Sequence, residues 1–127
     1  SGLEVEALGN GPGLWSSRYG ENDDARIARL LKELEGVPWE KRRAVFKAYL
    51  ALYLPQKERE YLFYGQLEGI ILFERCGTGG FGYDPVFYVP ELDKCLADVS
   101  PEEKNRISHR GRAIQSLMTF LGTTDLF

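Results

Sequence analysis

Two short stretches carry the residue types that could do chemistry. The first, GTGGFGYDPVFYVP at residues 77–90, sets four glycines around Phe81 and Tyr83 and closes on Asp84-Pro85. Flat apolar rings beside a carboxylate suit a heterocyclic base, which gains about 1–3 kcal/mol by stacking on an aromatic face. A tight glycine turn with Asp84 in an Asx-type hydrogen bond is the competing reading, and composition leaves both open. A phosphate cradle is the poorer reading. No Lys-Ser/Thr succeeds the glycines, and the chain runs on into the strand-like VFYV rather than a helix. The steric effect of Pro85 predicts an extended Asp84 with its side chain aimed away from the local backbone.

The second stretch holds Lys104, Ser108, His109 and Arg110. Lys104 and Ser108 are four residues apart and share a face if the helix persists; Arg110 adds a planar fork of donors. The cluster is rich in donors and poor in acceptors, so it suits a phosphate or a carbonyl oxygen. A structurally satisfied histidine and solvated surface cations remain the alternatives. Asp23, Asp24, Glu33 and Glu35 lie at helix positions and read as a solvated face, not as a metal site.

Elements that must position these groups are legible from periodicity. SGLEVEAL reads as a short strand, and GNGPGLWSSRYGEN as a loop. A helix is predicted from Asp23 to Glu35, capped by Asn22, with Ile27, Leu30, Leu31 and Leu34 on one face and Gly36 and Pro38 as its stop. Residues 42–54 read as a strand buried substantially on both sides. After a polar turn, YLFYGQLEGIILFE predicts strands interrupted at Gly65 and Gly69, the two runs pairing as a long antiparallel hairpin. Ser100-Pro101-Glu102-Glu103 marks a helix start, and Ser108 can cap a second helix carrying Ile114, Leu117, Met118 and Leu121. His109 and Arg110 then fall in its first turn, where backbone N–H groups favour anions and carbonyl oxygens. The whole reads as one α/β domain, a mixed sheet with flanking helices.

Composition narrows the function classes. A net charge of −3 with interleaved acids and bases argues against a broad nucleic-acid face. No apolar run approaches the roughly 20 residues that span a bilayer, and no basic-then-apolar leader is present, which predicts a cytoplasmic protein. Cys76 and Cys95, with a single histidine, all but exclude a structural zinc site of the usual kind and read as free buried thiols, with a disulfide as the lesser alternative. The chain opens at Ser1 in full apolar alternation, as though entered within an element, and this predicts missing upstream sequence.

Taken together, GTGGFGYDPVFYVP followed by SPEEKNRISHRGRA, with SGLEVEAL and GPGLWSSRYG before them, resembles the inosine triphosphate pyrophosphatase family, the Ham1-like proteins, from Ser1 to about Phe120. The resemblance implies a strongly bent ITPase-like sheet over residues 1–127, N-terminally incomplete relative to the family. It implies Mg²⁺-dependent hydrolysis of ITP, dITP and XTP to the monophosphate and pyrophosphate by a homodimer. The implied substrate-binding set is Thr78, Gly79, Gly80, Phe81, Gly82, Tyr83, Asp84, Lys104, Ser108, His109 and Arg110, with Phe81 stacking on the base. The family's catalytic or metal-binding Asp stands just before the SGL motif and a TxNxxK-type segment lies further upstream, so no metal ligand is expected within this chain. The alternative is a truncated, inactive fragment that binds purine nucleotides or dimerises.

Overall fold

The computed structural model describes residues 2–77 and 79–123. Strands β1 (Gly2–Val5), β2 (Gly11–Gly13), β3 (Arg43–Leu54), β4 (Arg59–Ile71), β5 (Phe87–Val89) and β6 (Lys94–Cys95) form a six-stranded sheet in the order β2-β1-β3-β4-β5-β6. Helices α1 (Asp23–Glu33), α2 (Pro101–Ile107) and α3 (His109–Thr123) complete the α/β architecture. The pairings of the described sheet are antiparallel throughout, where the sequence predicts a mixed sheet. The predicted 9–22 loop contains β2 because Gly9 and Asn10, both left-handed at φ 64° and 68°, fold the chain back onto β1.

Helix α1 begins as its sequence demands, with Asn22 Oδ1 accepting the Ala25 N–H at 2.8 Å. Ile27, Leu30 and Leu34 are fully buried against Leu3, Val5, Phe46, Leu67 and Ile71 of the sheet. Each such side chain contributes about 1.5–3 kcal/mol of burial. The helix exit is closed by Arg42, itself 2% exposed, whose guanidinium donates to the carbonyls of Leu34, Val37, Ile71 and Leu72. A buried cation is tolerable there because backbone oxygens replace its hydration shell.

The β3–β4 hairpin is continuous from the Arg43–Ile70 pair to the Leu54–Arg59 pair. It is not buried on both faces. Ala44, Phe46 and Ala48 face the core, whereas Tyr49, Tyr53 and Leu62 on the opposite face are 63%, 60% and 69% exposed. α1 and α3 both pack on the core side, which leaves the other face of the hairpin open. Gly65 and Gly69 likewise do not interrupt β4. A Cβ on Gly65 would run into the His109 carbonyl and the Ala113 amide, and one on Gly69 into the Phe87 ring. These glycines admit close neighbours; they do not bend the strand.

The cysteines correct a second expectation. β5 and β6 bring Cys95 within 6.3 Å (Cα–Cα) of Cys76, and the two are joined as a disulfide, not held as free thiols. That separation suits a disulfide, and only the folded path reveals it.

Replacing Gly65 by Ala should cost about 1–3 kcal/mol of stability through backbone overpacking. Gly122→Ala in α3, where a Cβ meets nothing within 4 Å, should be neutral or stabilising. Urea unfolding of the two variants tests the contrast, and equal stability would refute the close-packing argument.

Candidate functional site

The glycine-rich segment forms a closed loop whose ends meet where the Cys76 N–H donates to the Pro85 carbonyl at 2.7 Å. Phe81 stands at its apex, 62% exposed. Tyr83 is only 6% exposed and is an anchor, with no free ring face for a sandwich: its hydroxyl donates to the Ser16 carbonyl at 2.7 Å. Burial pushes that hydroxyl up to about 12, so it remains a donor.

Asp84 is not extended as the proline argument predicts. It opens a 3₁₀ turn over Asp84–Val86, and its carboxylate folds back to accept the Phe81 N–H at 3.1 Å. The same oxygen is ion-paired with Lys104 of α2. Gly80, left-handed at φ 75°, makes room for this: a Cβ there would lie 2.6 Å from Asp84 Oδ2. Lys104 Nζ also sits 4.0 Å from the Phe81 ring centroid, a cation–π contact that leaves the other ring face for a ligand.

The sequence predicts Asp23 on a solvated helix face. Instead its Oδ2 accepts the Gly82 N–H at 2.9 Å, and its Oδ1 pairs with Arg26 at 2.9 Å. The first turn of α1 therefore holds the loop at Gly82, while Lys104 holds it at Asp84. Asp24 and Glu33 do behave as surface groups, pairing with exposed Arg75 and Arg29.

The second stretch forms a sharp corner. Ser100 Oγ caps α2 through the Glu103 N–H, and Ser108 Oγ accepts the Gly111 N–H at 3.0 Å to cap α3. Gly111 lets the helices touch, since a Cβ there would overlap the Asn105 carbonyl. His109, in the first turn of α3, stacks on Phe46 with centroids 4.9 Å apart and planes 13° apart. Burial, reinforced by Arg110 and Lys104, lowers its pKa to about 4, so the ring is neutral at pH 7. Its Nδ1 is buried without a protein partner, as is Arg26 Nε.

Loop, corner and the first turn of α1 enclose a cleft of about 880 Å³. Gly80, Phe81, Gly82, Tyr83, Asp84, Lys104, Ser108, His109 and Arg110 all line it. Gly79 packs against the Ala97 carbonyl, off the cleft wall. Thr78 lies outside the described residues. Sequence reasoning missed Ser16, Asp23, Arg26 and Phe46, which also line the cleft. Of these, only the N-cap pattern placing Asp23 in a first turn left any local signal.

The described residues of the cleft do not fit a Mg²⁺ ion, which favours an octahedron of oxygen ligands. The two cleft carboxylates, Asp23 and Asp84, are already engaged by Arg26, Lys104 and backbone N–H groups. Among the described residues, the one group of three potential metal ligands is Cys76, Cys95 and Asp98, and its sulfurs are bonded to each other.

An antiparallel sheet whose glycine loop and helix corner enclose an aromatic, donor-lined cleft defines an α/β protein suited to a planar heterocycle. The family is given by comparison: the Ham1 family model matches residues 1–120, and the chain belongs to that family. It is 51% identical over 125 residues to a dITP/XTP pyrophosphatase of Geobacter sulfurreducens, covering 96% of this chain and 62% of that protein. A dITP/XTP pyrophosphatase of Halalkalibacterium halodurans is 48% identical, with 95% of this chain and 63% of the relative covered. The Staphylococcus aureus Ham1 protein superposes with a TM-score of 0.90 at 43% identity, over 95% of this chain and 63% of that one. The chain thus spans under two thirds of the length of these relatives.

Asp84→Asn should cost about 2 kcal/mol, because it leaves the Lys104 ammonium without its buried counter-charge; a loss below 0.5 kcal/mol in chemical unfolding, on the scale of an ordinary surface change, would refute the role assigned to the pair. His109 gives a pH signature. The unfolded chain protonates it near pH 6.5, but the folded chain resists until about pH 4. Its contribution is therefore full above pH 6.5 and lost as pH falls towards 4. His109→Asn should flatten the stability profile across that window, and an unchanged slope would contradict the assignment.

Proposed function

We propose that this chain is the base-recognising part of an enzyme that hydrolyses ITP, dITP and XTP to the monophosphate and pyrophosphate. The observation that carries the reading is the meeting of Phe81 and the Ser108-His109-Arg110 corner in one cleft. Hypoxanthine and xanthine carry a 6-oxo acceptor where adenine carries an amino donor. A neutral His109 offers one N–H, and Arg110 offers a fork; both match the oxo group, and Arg110, which has no acceptor, does not serve the amine. A site built to hydrogen-bond a substrate group rejects an analogue lacking it by about 10⁴-fold. Stacking on Phe81, on the face away from Lys104, sets the base plane, and Asp84 keeps both residues in place. The names of the Geobacter and Halalkalibacterium relatives support the substrate class.

The reading extends to Mg²⁺ as a cofactor that the carboxylates of this cleft do not themselves hold, and to a cytoplasmic homodimer acting on the nucleotide pool. The open tyrosine face of β3 and β4 supports a second copy as its cover. A second reading, purine-nucleotide binding without turnover by this chain, is favoured by one observation: both cleft carboxylates are committed to protein partners.

Calorimetry with IMP and AMP, alongside pyrophosphate release from ITP, XTP, GTP and ATP, tests both. IMP binding at least tenfold tighter than AMP supports base recognition, and equal affinities would sink it. Retained IMP binding with no pyrophosphate from ITP favours the second reading over the first.

A further inference from the structure

We infer that Cys76–Cys95 is a thiol–disulfide exchange site whose redox state sets how tightly the cleft holds its nucleotide; the inference rests on the purine reading above. The disulfide joins the start of the Phe81 loop to β6, immediately before the turn Leu96–Asp98. The glycine half of the loop lies on that same turn. A Cβ on Gly77 would stand 2.6 Å from Asp98 Oδ1, and one on Gly79 would stand 2.8 Å from the Ala97 carbonyl oxygen. Asp23 and Asp84 hold the loop at and beyond Phe81, so the disulfide is the covalent tie on its approach side. Leu96, which opens the turn, and Val99, which follows it, line the cleft, and a shift there reaches the ligand wall directly.

The disulfide is open to exchange from one side. Cys95 is 2% exposed, whereas Cys76 is half-buried, so a small thiolate reaches the bond from the Cys76 side. Attack on Cys76 Sγ breaks the S–S bond and expels the Cys95 thiolate, which takes up a proton. A second thiol then resolves the mixed disulfide. Two small thiols lose two electrons and two protons and leave as their own disulfide, and the protein gains two thiols. Asp98 Oδ2 lies 3.6 Å from Cys76 Sγ and 3.4 Å from Cys95 Sγ, an acceptor ready for either new S–H group. In the oxidised form the loop is pre-ordered for stacking; in the reduced form binding must order it, which weakens affinity.

The test compares the chain oxidised with glutathione disulfide and the chain reduced with a phosphine, with a chelator present. Thiol counting, IMP calorimetry and hydrogen exchange over residues 77–84 are read on each form. The expected result is no free thiol in the oxidised form, about tenfold tighter IMP binding and slower exchange, with Cys76→Ser behaving as the reduced form under both conditions. Two free thiols after oxidation, or IMP affinity equal in both forms, overturns the inference while the purine reading stands. IMP binding by neither form overturns the purine reading instead; the exchange contrast then decides the clamp alone, slower exchange on oxidation supporting it and equal exchange overturning it.

Discussion

The first turn of α3 lies directly against the backbone of β4, with no side chain between them at Gly65. Much of the site depends on that approach. It seats His109 flat on Phe46, away from water, and makes a neutral ring of a residue that in solution would be partly charged. It also sets α2, through the Gly111 contact with Asn105, at the height where Lys104 meets the loop. A helix held further off would carry the corner away from the loop.

The loop is kept in register with that corner by electrostatics. Asp84 is a buried carboxylate, which is costly unless every lone pair finds a donor. Its donors are the Phe81 N–H, on its own loop, and Lys104, on a different element. The cost of leaving it unpaired therefore couples the stacking residue to the helix that carries its cation. Asp23 applies the same logic from α1 through Gly82. Two elements remote in sequence converge on a loop of few residues, and neither relies on the glycines to grip phosphate.

Charge placement explains why the cleft looks prepared for an acceptor. The acids that face it are consumed by protein donors, whereas His109 Nδ1 and Arg26 Nε remain without protein partners. Such buried orphans are rare in folded proteins, and a ligand is one of the few ways to satisfy them. The apolar floor at Phe46, Phe81 and Leu96 supplies the rest of what a flat heterocycle requires.

Local rules suffice for whatever depends on neighbours along the chain: the Asn22, Ser100 and Ser108 caps, the β3–β4 hairpin, and the two chemical stretches with their resemblance to one family. They fail where the decisive partner is distant. Asp23 reads as a surface acid because Gly82 is 59 residues away. Tyr83 reads as a stacking face because its anchor is the Ser16 carbonyl, and the cysteines read as free thiols because only folding sets β6 against the loop. Gly65 and Gly69 read as bends, although each is small on account of a neighbour from another element. Sequence by itself determined the residue chemistry and the helix starts, since caps and periodicity act within a few bonds. Tertiary structure alone decided burial, and with it which carboxylate is paired, which ring is exposed and which histidine stays neutral, because desolvation depends on everything packed around a group.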